Sequence, residues 1–196
     1  TFVAKHGGEA GSYDQRLRLI ESLRTGDDWN DVELAWESLH GPLLRIAEVE
    51  GMAARAHFQT VDLSAVVADV AEAVRPSMES SGHQLVVSIT PRVILPGDRR
   101  LLQQMLTNLL DNAVQHTPQR TSVRIDLVQA DGRIRLSITD DGPGVGQNEA
   151  PELFNRFARV DRSRSTPGHG LGLAMVAAIV AAHSGKAAIA SRPGFG

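Results

Sequence analysis

Apolar residues change their spacing several times along the chain, and each change marks an element. Leu17, Leu19, Ile20 and Leu23 suit a short amphipathic helix over Tyr13–Leu23, stopped by Thr25-Gly26. Val32, Trp36, Leu39, Leu43 and Ile46 then alternate four and three apart, the seam of a coiled coil on a second helix from about Trp29 to Met52. Gly41-Pro42 interrupts it and should kink that helix or start a new one. Two readings fit the seam: a helical hairpin that dimerises into a four-helix bundle, or a helix packed on the chain's own globular part.

After Arg55 the period becomes that of a mixed fold. His57–Val61 reads as a short strand, and Asp62 caps a helix over Leu63–Met78 with Val66, Val67, Val70 and Val74 as its apolar stripe. Ser81-Gly82 ends it. Leu85, Val87 and Ile89 alternate as a strand, and Val93–Leu95 reads as another, closed by Pro96-Gly97. Asp98 caps a helix running to about His116, with Leu101, Leu102, Met105, Leu106, Leu109, Leu110 and Val114 on its buried side. Ser122–Val128 and Arg133–Thr139 form a hairpin about Ala130-Asp131-Gly132. Asp140–Gly168, rich in Gly, Pro and Arg, reads as a mobile loop. A strongly apolar helix, Leu171–His183, and a strand, Lys186–Ala190, follow. The pattern predicts an α+β fold: a two-layer α/β sandwich whose mixed, mostly antiparallel sheet carries three helices on one face, preceded by a helical segment. The expected organisation is a leader or linker over 1–12, a partial or atypical hairpin over 13–56, and a globular domain over 57–196.

Composition narrows the function. With 20 basic and 23 acidic residues, a formal charge of -3 and no basic run, the chain offers no electrostatic footprint for nucleic acid. The absence of cysteine excludes disulfides, thiol catalysis and cysteine-ligated metals, and the seven histidines show no pair at zinc-ligand spacing. The longest apolar run, Leu173–Ala182, is half of the roughly 20 residues a membrane helix needs. A chain that opens at Thr1 with no signal-peptide pattern reads as excised from something longer, so a membrane anchor would lie upstream.

Three constellations carry chemistry. Asn108 and Asn112, at i and i+4, can turn both amides into one pocket, and a neutral amide oxygen suits a magnesium ion that takes its other ligands from phosphates and water. Asp140-x-Gly142-x-Gly144 follows a strand, where the acid can accept from an exocyclic amine while the glycines admit a ligand close to the backbone. Gly168-x-Gly170-x-Gly172 opens a helix, a natural anion site, although its spacing is not the dinucleotide fingerprint.

Taken in order with Leu153-Phe154-x-Arg156-Phe157, these motifs resemble the catalytic ATP-binding domain of bacterial sensor histidine kinases, over about Phe58–Gly196. The resemblance implies ATP and Mg2+ as ligands. Asn112 would hold the metal, Asn108 and His116 would serve catalysis at the phosphates, and Asp140 would accept from the adenine amine, with Gly142 and Gly144 shaping that end. Gly168, Gly170, Leu171 and Gly172 would cradle the phosphates, Phe154 and Phe157 would anchor a lid, and Arg159, Arg162 and Arg164 in that lid would reach phosphate. Gln115 stands where such enzymes commonly carry Lys or Arg. Relatives that activate water or serine resemble one another in having Glu at the place of Asn108; a histidine acceptor, with its own lone pair, needs no such base.

The resemblance further implies a response regulator as partner, a homodimer through 29–52, and a cytoplasmic domain of an inner-membrane parent. The acceptor pattern is missing: Glu21 stands at the histidine position and Gly26 at the proline position. Among His6, His40, His57 and His83, none has the expected neighbours. The expected function is phosphoryl transfer from Mg-ATP to a histidine; the alternative is an ATP-binding module that acts by docking partners.

Overall fold

The computed structural model describes residues 41, 43–146, 150–158 and 170–191. The chain divides into two units, Thr1–Leu44 and Arg45–Gly196, and almost all described residues lie in the second. The seam positions Val32, Trp36 and Leu39, and with them the dimerisation reading, lie outside the described residues.

Residues 43–50 are helical, with Ile46 and Val49 buried, and a 3-10 turn over Met52–His57 leads into the sheet. Strand β1 (Gln59–Asp62) therefore begins two residues later than the spacing predicts, because the 3-10 turn takes up the first residue of the expected strand. Helix α1 (Leu63–Ser80) starts at Asp62, whose carboxylate accepts from Ser64 N at 2.9 Å and Ala65 N at 3.3 Å. It ends where Gly82 takes φ +79, and His83 N donates to Met78 O across that turn at 2.8 Å. Pro76 lies inside this helix without ending it.

Strands β2 (Gln84–Ile89) and β3 (Ile94–Gly97) lead to helix α2 (Arg99–His116), capped by Asp98 through Arg100 N at 2.8 Å and Leu101 N at 3.2 Å. Strands β4 (Ser122–Ala130) and β5 (Arg133–Asp140) form the predicted hairpin. Its two-residue turn, Asp131-Gly132, has φ +52 and +70, the pair of left-handed residues that matches the strand twist. A second 3-10 turn over Ala150–Phe154 precedes helix α3 (Gly172–Ala182).

The strands form two sheets. β1 pairs antiparallel with β3, and β4 lies between β2, which is parallel to it, and β5, which is antiparallel. The expected mostly antiparallel, α+β arrangement holds, with the pairing split over two sheets. Helix α2 packs between α1 and α3. Val123, Ile125 and Leu127 of β4 are buried, and with Leu106, Leu110 and Ile179 of the helices they make the centre of the core.

The expected strand over Lys186–Ala190 does not form: these residues join no ladder. Lys and Ala are poor strand formers, and Ile189 is the one β-branched side chain in the stretch, too little apolar surface to fix a register. The segment is tied instead by Ser191, whose Oγ accepts from Val145 N at 2.8 Å.

Candidate functional site

Helix α2 places Asn108 and Asn112 one turn apart, both half-buried. Asn108 is held from two sides. Its Oδ1 accepts from Gln104 Nε2 at 2.8 Å, and its Nδ2 donates to Gly172 O at 3.4 Å, joining α2 to the start of α3. Among the described residues the Asn112 side chain makes no hydrogen bond, so its amide oxygen could take an outside ligand. Asp111, between them in sequence, is on the exposed side, and desolvation raises its carboxyl above the ordinary aspartate value. His116 is exposed on the last turn of the same helix.

The sheet contributes Asp140. Its register opposite Val123 puts it on the helix-facing side at the very end of β5. One carboxylate oxygen accepts from Gly142 N at 3.0 Å, which leaves the other for a ligand. Gly142 is buried, and a side chain there would have to displace its neighbours. A Cβ would sit 2.7 Å from Asp140 Oδ1 and 2.8 Å from Thr117 Cγ2. Thr117 caps α2 and lies 3.0 Å, through its Oγ1, from Nε2 of buried His83, whose Nδ1 is 3.0 Å from Ser81 Oγ. The turn after α1, the end of α2 and the Asp140 loop are thereby one packed unit. Gly144, with φ +66, continues the loop.

The third wall is the start of α3. Gly170 has φ +65, and a Cβ on it would lie 2.7 Å from Ala158 O and 2.9 Å from the Phe157 carbonyl carbon. Phe157 N donates to Gly170 O at 3.0 Å, so this glycine is fixed by the backbone it faces. Gly172 differs: its φ is not positive, and a Cβ would meet nothing within 4 Å among the described residues. Leu171 is the buried N-cap residue and offers no side-chain cap, so among the described residues no side chain takes the first N–H groups of α3. The start of α3, which Asn108 joins to α2, is suited to a phosphate chain, and Asn112 lies one turn further along α2, an amide of the type that suits its cation.

Phe154 is half-buried, whereas Phe157 is 39% exposed and adopts φ +65, so of the two predicted anchors Phe154 is the more enclosed. Arg156 pairs with Glu50 of the entering helix. Arg159, Arg162, Arg164 and Gly168 lie outside the described residues. Of the histidines weighed as acceptors, His83 is buried and engaged at both nitrogens, His57 is exposed, and His6 and His40 lie outside the described residues. Gln104, Thr117 and the structural role of His83 were not anticipated. Gln104 had a signal, its i-4 spacing from Asn108; the other two touch the site only through tertiary contacts.

Comparison with known proteins places this α+β domain in a family. Residues 97–196 match the family described as histidine kinase-, DNA gyrase B-, and HSP90-like ATPase, and the chain belongs to that family. Its relatives include the sensor-like histidine kinase SenX3 of Mycolicibacterium smegmatis, 31% identical over 80% of this chain and 41% of that protein. The probable sensor histidine kinase TcrY of Mycobacterium tuberculosis is 42% identical over 58% of this chain and 24% of its own length. The chain thus spans less than half of these curated relatives. Among solved structures, the mycobacterial sensor histidine kinase MprB is 37% identical with a TM-score of 0.57, covering 65% of this chain and 80% of that one. Full-length ShkA in complex with AMPPNP is 28% identical with a TM-score of 0.70, covering 98% of this chain and 38% of that one. No helix among the described residues is long and apolar enough to cross a membrane.

Proposed function

We propose that this chain is the ATP-binding catalytic part of a histidine protein kinase in a two-component pathway, with residues 57–196 as the nucleotide-binding domain and the helical segment before it as an altered acceptor or dimerisation region. The observation that supports this best is the contact of Asn108 with Gly172, which brings the amide face of α2 against an uncapped helix start that has room for phosphate. Asp140 at the sheet end supplies the acceptor for an adenine amine. Asn112, together with phosphate oxygens, would hold magnesium, whose chemistry is to neutralise phosphate charge as the γ-phosphoryl group leaves. The relatives named as sensor histidine kinases support the same reading.

Asn108 is a neutral amide already engaged as acceptor and donor, so it provides no base to deprotonate water or a hydroxyl. This favours transfer to a histidine over hydrolysis. A response regulator would then take the phosphoryl group onto an aspartate, and the parent protein would be anchored by segments upstream.

The test is incubation with γ-labelled ATP, magnesium and a separate polypeptide bearing an intact acceptor hairpin. Label on that polypeptide that survives base and is lost in acid is the expected result. Tight nucleotide binding with no transfer would instead support the docking module, and release of ADP with no protein acceptor would support an ATPase.

A further inference from the structure

Outside the proposed nucleotide site, several long-range contacts gather on His183, just past the end of α3. Nδ1 lies 2.8 Å from Ile179 O, and a carbonyl can only accept, so the proton is on Nδ1. Nε2 then carries the lone pair, and it accepts from Asp98 N at 3.2 Å. Both roles of the ring are set by backbone. The ring stacks on Phe58, with centroids 4.5 Å apart and an interplanar angle of 26°. Gly97 makes room for it: a Cβ there would be 2.7 Å from Nε2. Beside it, Arg55 donates from Nε to Ala182 O at 3.1 Å and from Nη2 to Ser184 Oγ at 3.1 Å.

These contacts pin α2 to α3 at the ends away from the nucleotide. The other pin is the Asn108 to Gly172 bond. Asp98 to Asn108 is ten residues and Gly172 to His183 is eleven, so the two pins are separated by about 15 Å along one helix and about 16 Å along the other. Two helices fastened at both ends over equal lengths cannot slide at one end without moving the other. Phe58 and Arg55 add the segment that enters the domain to the far pin.

We infer that His183 is a positioning residue that couples docking of segment 55–58 to the nucleotide cradle, by holding Phe58 and the α2 N-terminus on the end of α3. It rests on the proposed ATP-binding reading. Nucleotide that draws the starts of α3 and the middle of α2 together favours the docked segment, and docking favours nucleotide by the same factor, as linkage requires.

The experiment uses the whole 196-residue chain and the non-hydrolysed nucleotide AMPPNP with magnesium, reading hydrogen exchange of the peptide spanning 51–60 together with nucleotide affinity. In the unmodified chain, AMPPNP slows exchange of that peptide roughly fivefold or more. His183→Ala abolishes that nucleotide-dependent slowing and weakens AMPPNP binding by about the same factor. A residue with a purely structural role would, when removed, raise exchange throughout and keep the nucleotide-dependent difference. Phe58→Leu, which keeps apolar contact and loses the stack, reproduces the uncoupling if His183→Ala does not fold. AMPPNP that binds without slowing the peptide, or slowing that persists in these variants, overturns the inference alone. Absence of AMPPNP binding in the unmodified chain overturns the nucleotide reading as well.

Discussion

Gly170 and Gly172 stand two residues apart in one motif, yet the structure gives them opposite reasons to be glycine, and alanine at each should separate the two. At Gly170 the backbone is left-handed at φ +65, where a Cβ costs about 1–2 kcal/mol. Its contacts would be at 2.7 Å and 2.9 Å with backbone atoms of Ala158 and Phe157, and overpacking of this kind costs about 1–3 kcal/mol. Relief by movement would break the Phe157 N to Gly170 O bond. Gly170→Ala is therefore expected to lose about 2–5 kcal/mol, a fall in Tm on the order of 10 °C for a domain of this size. At Gly172 the φ is not positive and the space is open, so alanine relieves the unfolded chain of entropy and gains about 0.4–1 kcal/mol. The same methyl occupies the space in which phosphate would meet the helix N–H groups. One charge-assisted bond lost is about 1.5–3 kcal/mol, roughly 10- to 150-fold in affinity. Thermal unfolding without nucleotide and titration with Mg-ATP read both effects. A Gly172→Ala chain that melts lower, or binds Mg-ATP as tightly as the parent, refutes the assignment of that space to phosphate.

Asn112→Ala should weaken ATP binding in magnesium while leaving the weaker metal-free binding in EDTA nearly unchanged; equal losses in both titrations would place the metal elsewhere. Asp62→Ala removes the cap on α1, with an expected cost of about 1 kcal/mol and unchanged nucleotide affinity, read by urea unfolding and titration. For Asp111, whose folded carboxyl is raised by desolvation, the folded state holds its proton to higher pH than the unfolded one. Stability falls as pH rises through that window, so Asp111→Asn should raise Tm at neutral pH, modestly because the group is solvent-exposed, and the gain should vanish under acid conditions. A gain that is the same at both pH values would mean the carboxyl is not desolvated.

What could be read without coordinates is what depends on neighbours along the chain. The caps at Asp62 and Asp98, the Asp131-Gly132 turn and the i, i+4 amides on α2 rest on contacts within about four residues, and each is where its pattern predicts. The Lys186–Ala190 strand failed for the complementary reason: a strand exists by virtue of its partner, and a short run of alanines carries no surface that specifies one. Periodicity likewise could not show that β2 pairs in parallel with β4, or that β1 and β3 leave to make a sheet of their own.

The glycine motifs were legible as loops but not as a division of labour. Three of their glycines face different constraints. Gly142 is squeezed by Asp140 and Thr117, Gly170 by backbone, and Gly172 by nothing among the described residues. Of the three, only the last leaves space that the proposed phosphate site could use. The same reasoning separates the two asparagines. Asn108 spends both ends of its amide on Gln104 and Gly172, whereas the Asn112 side chain has no hydrogen-bond partner among the described residues, which is why the proposal gives Asn112 and not Asn108 to the metal. On the proposed ATP-binding reading, the Asn112 amide oxygen and the uncapped start of α3 are the complements of a cation and the phosphates that carry it.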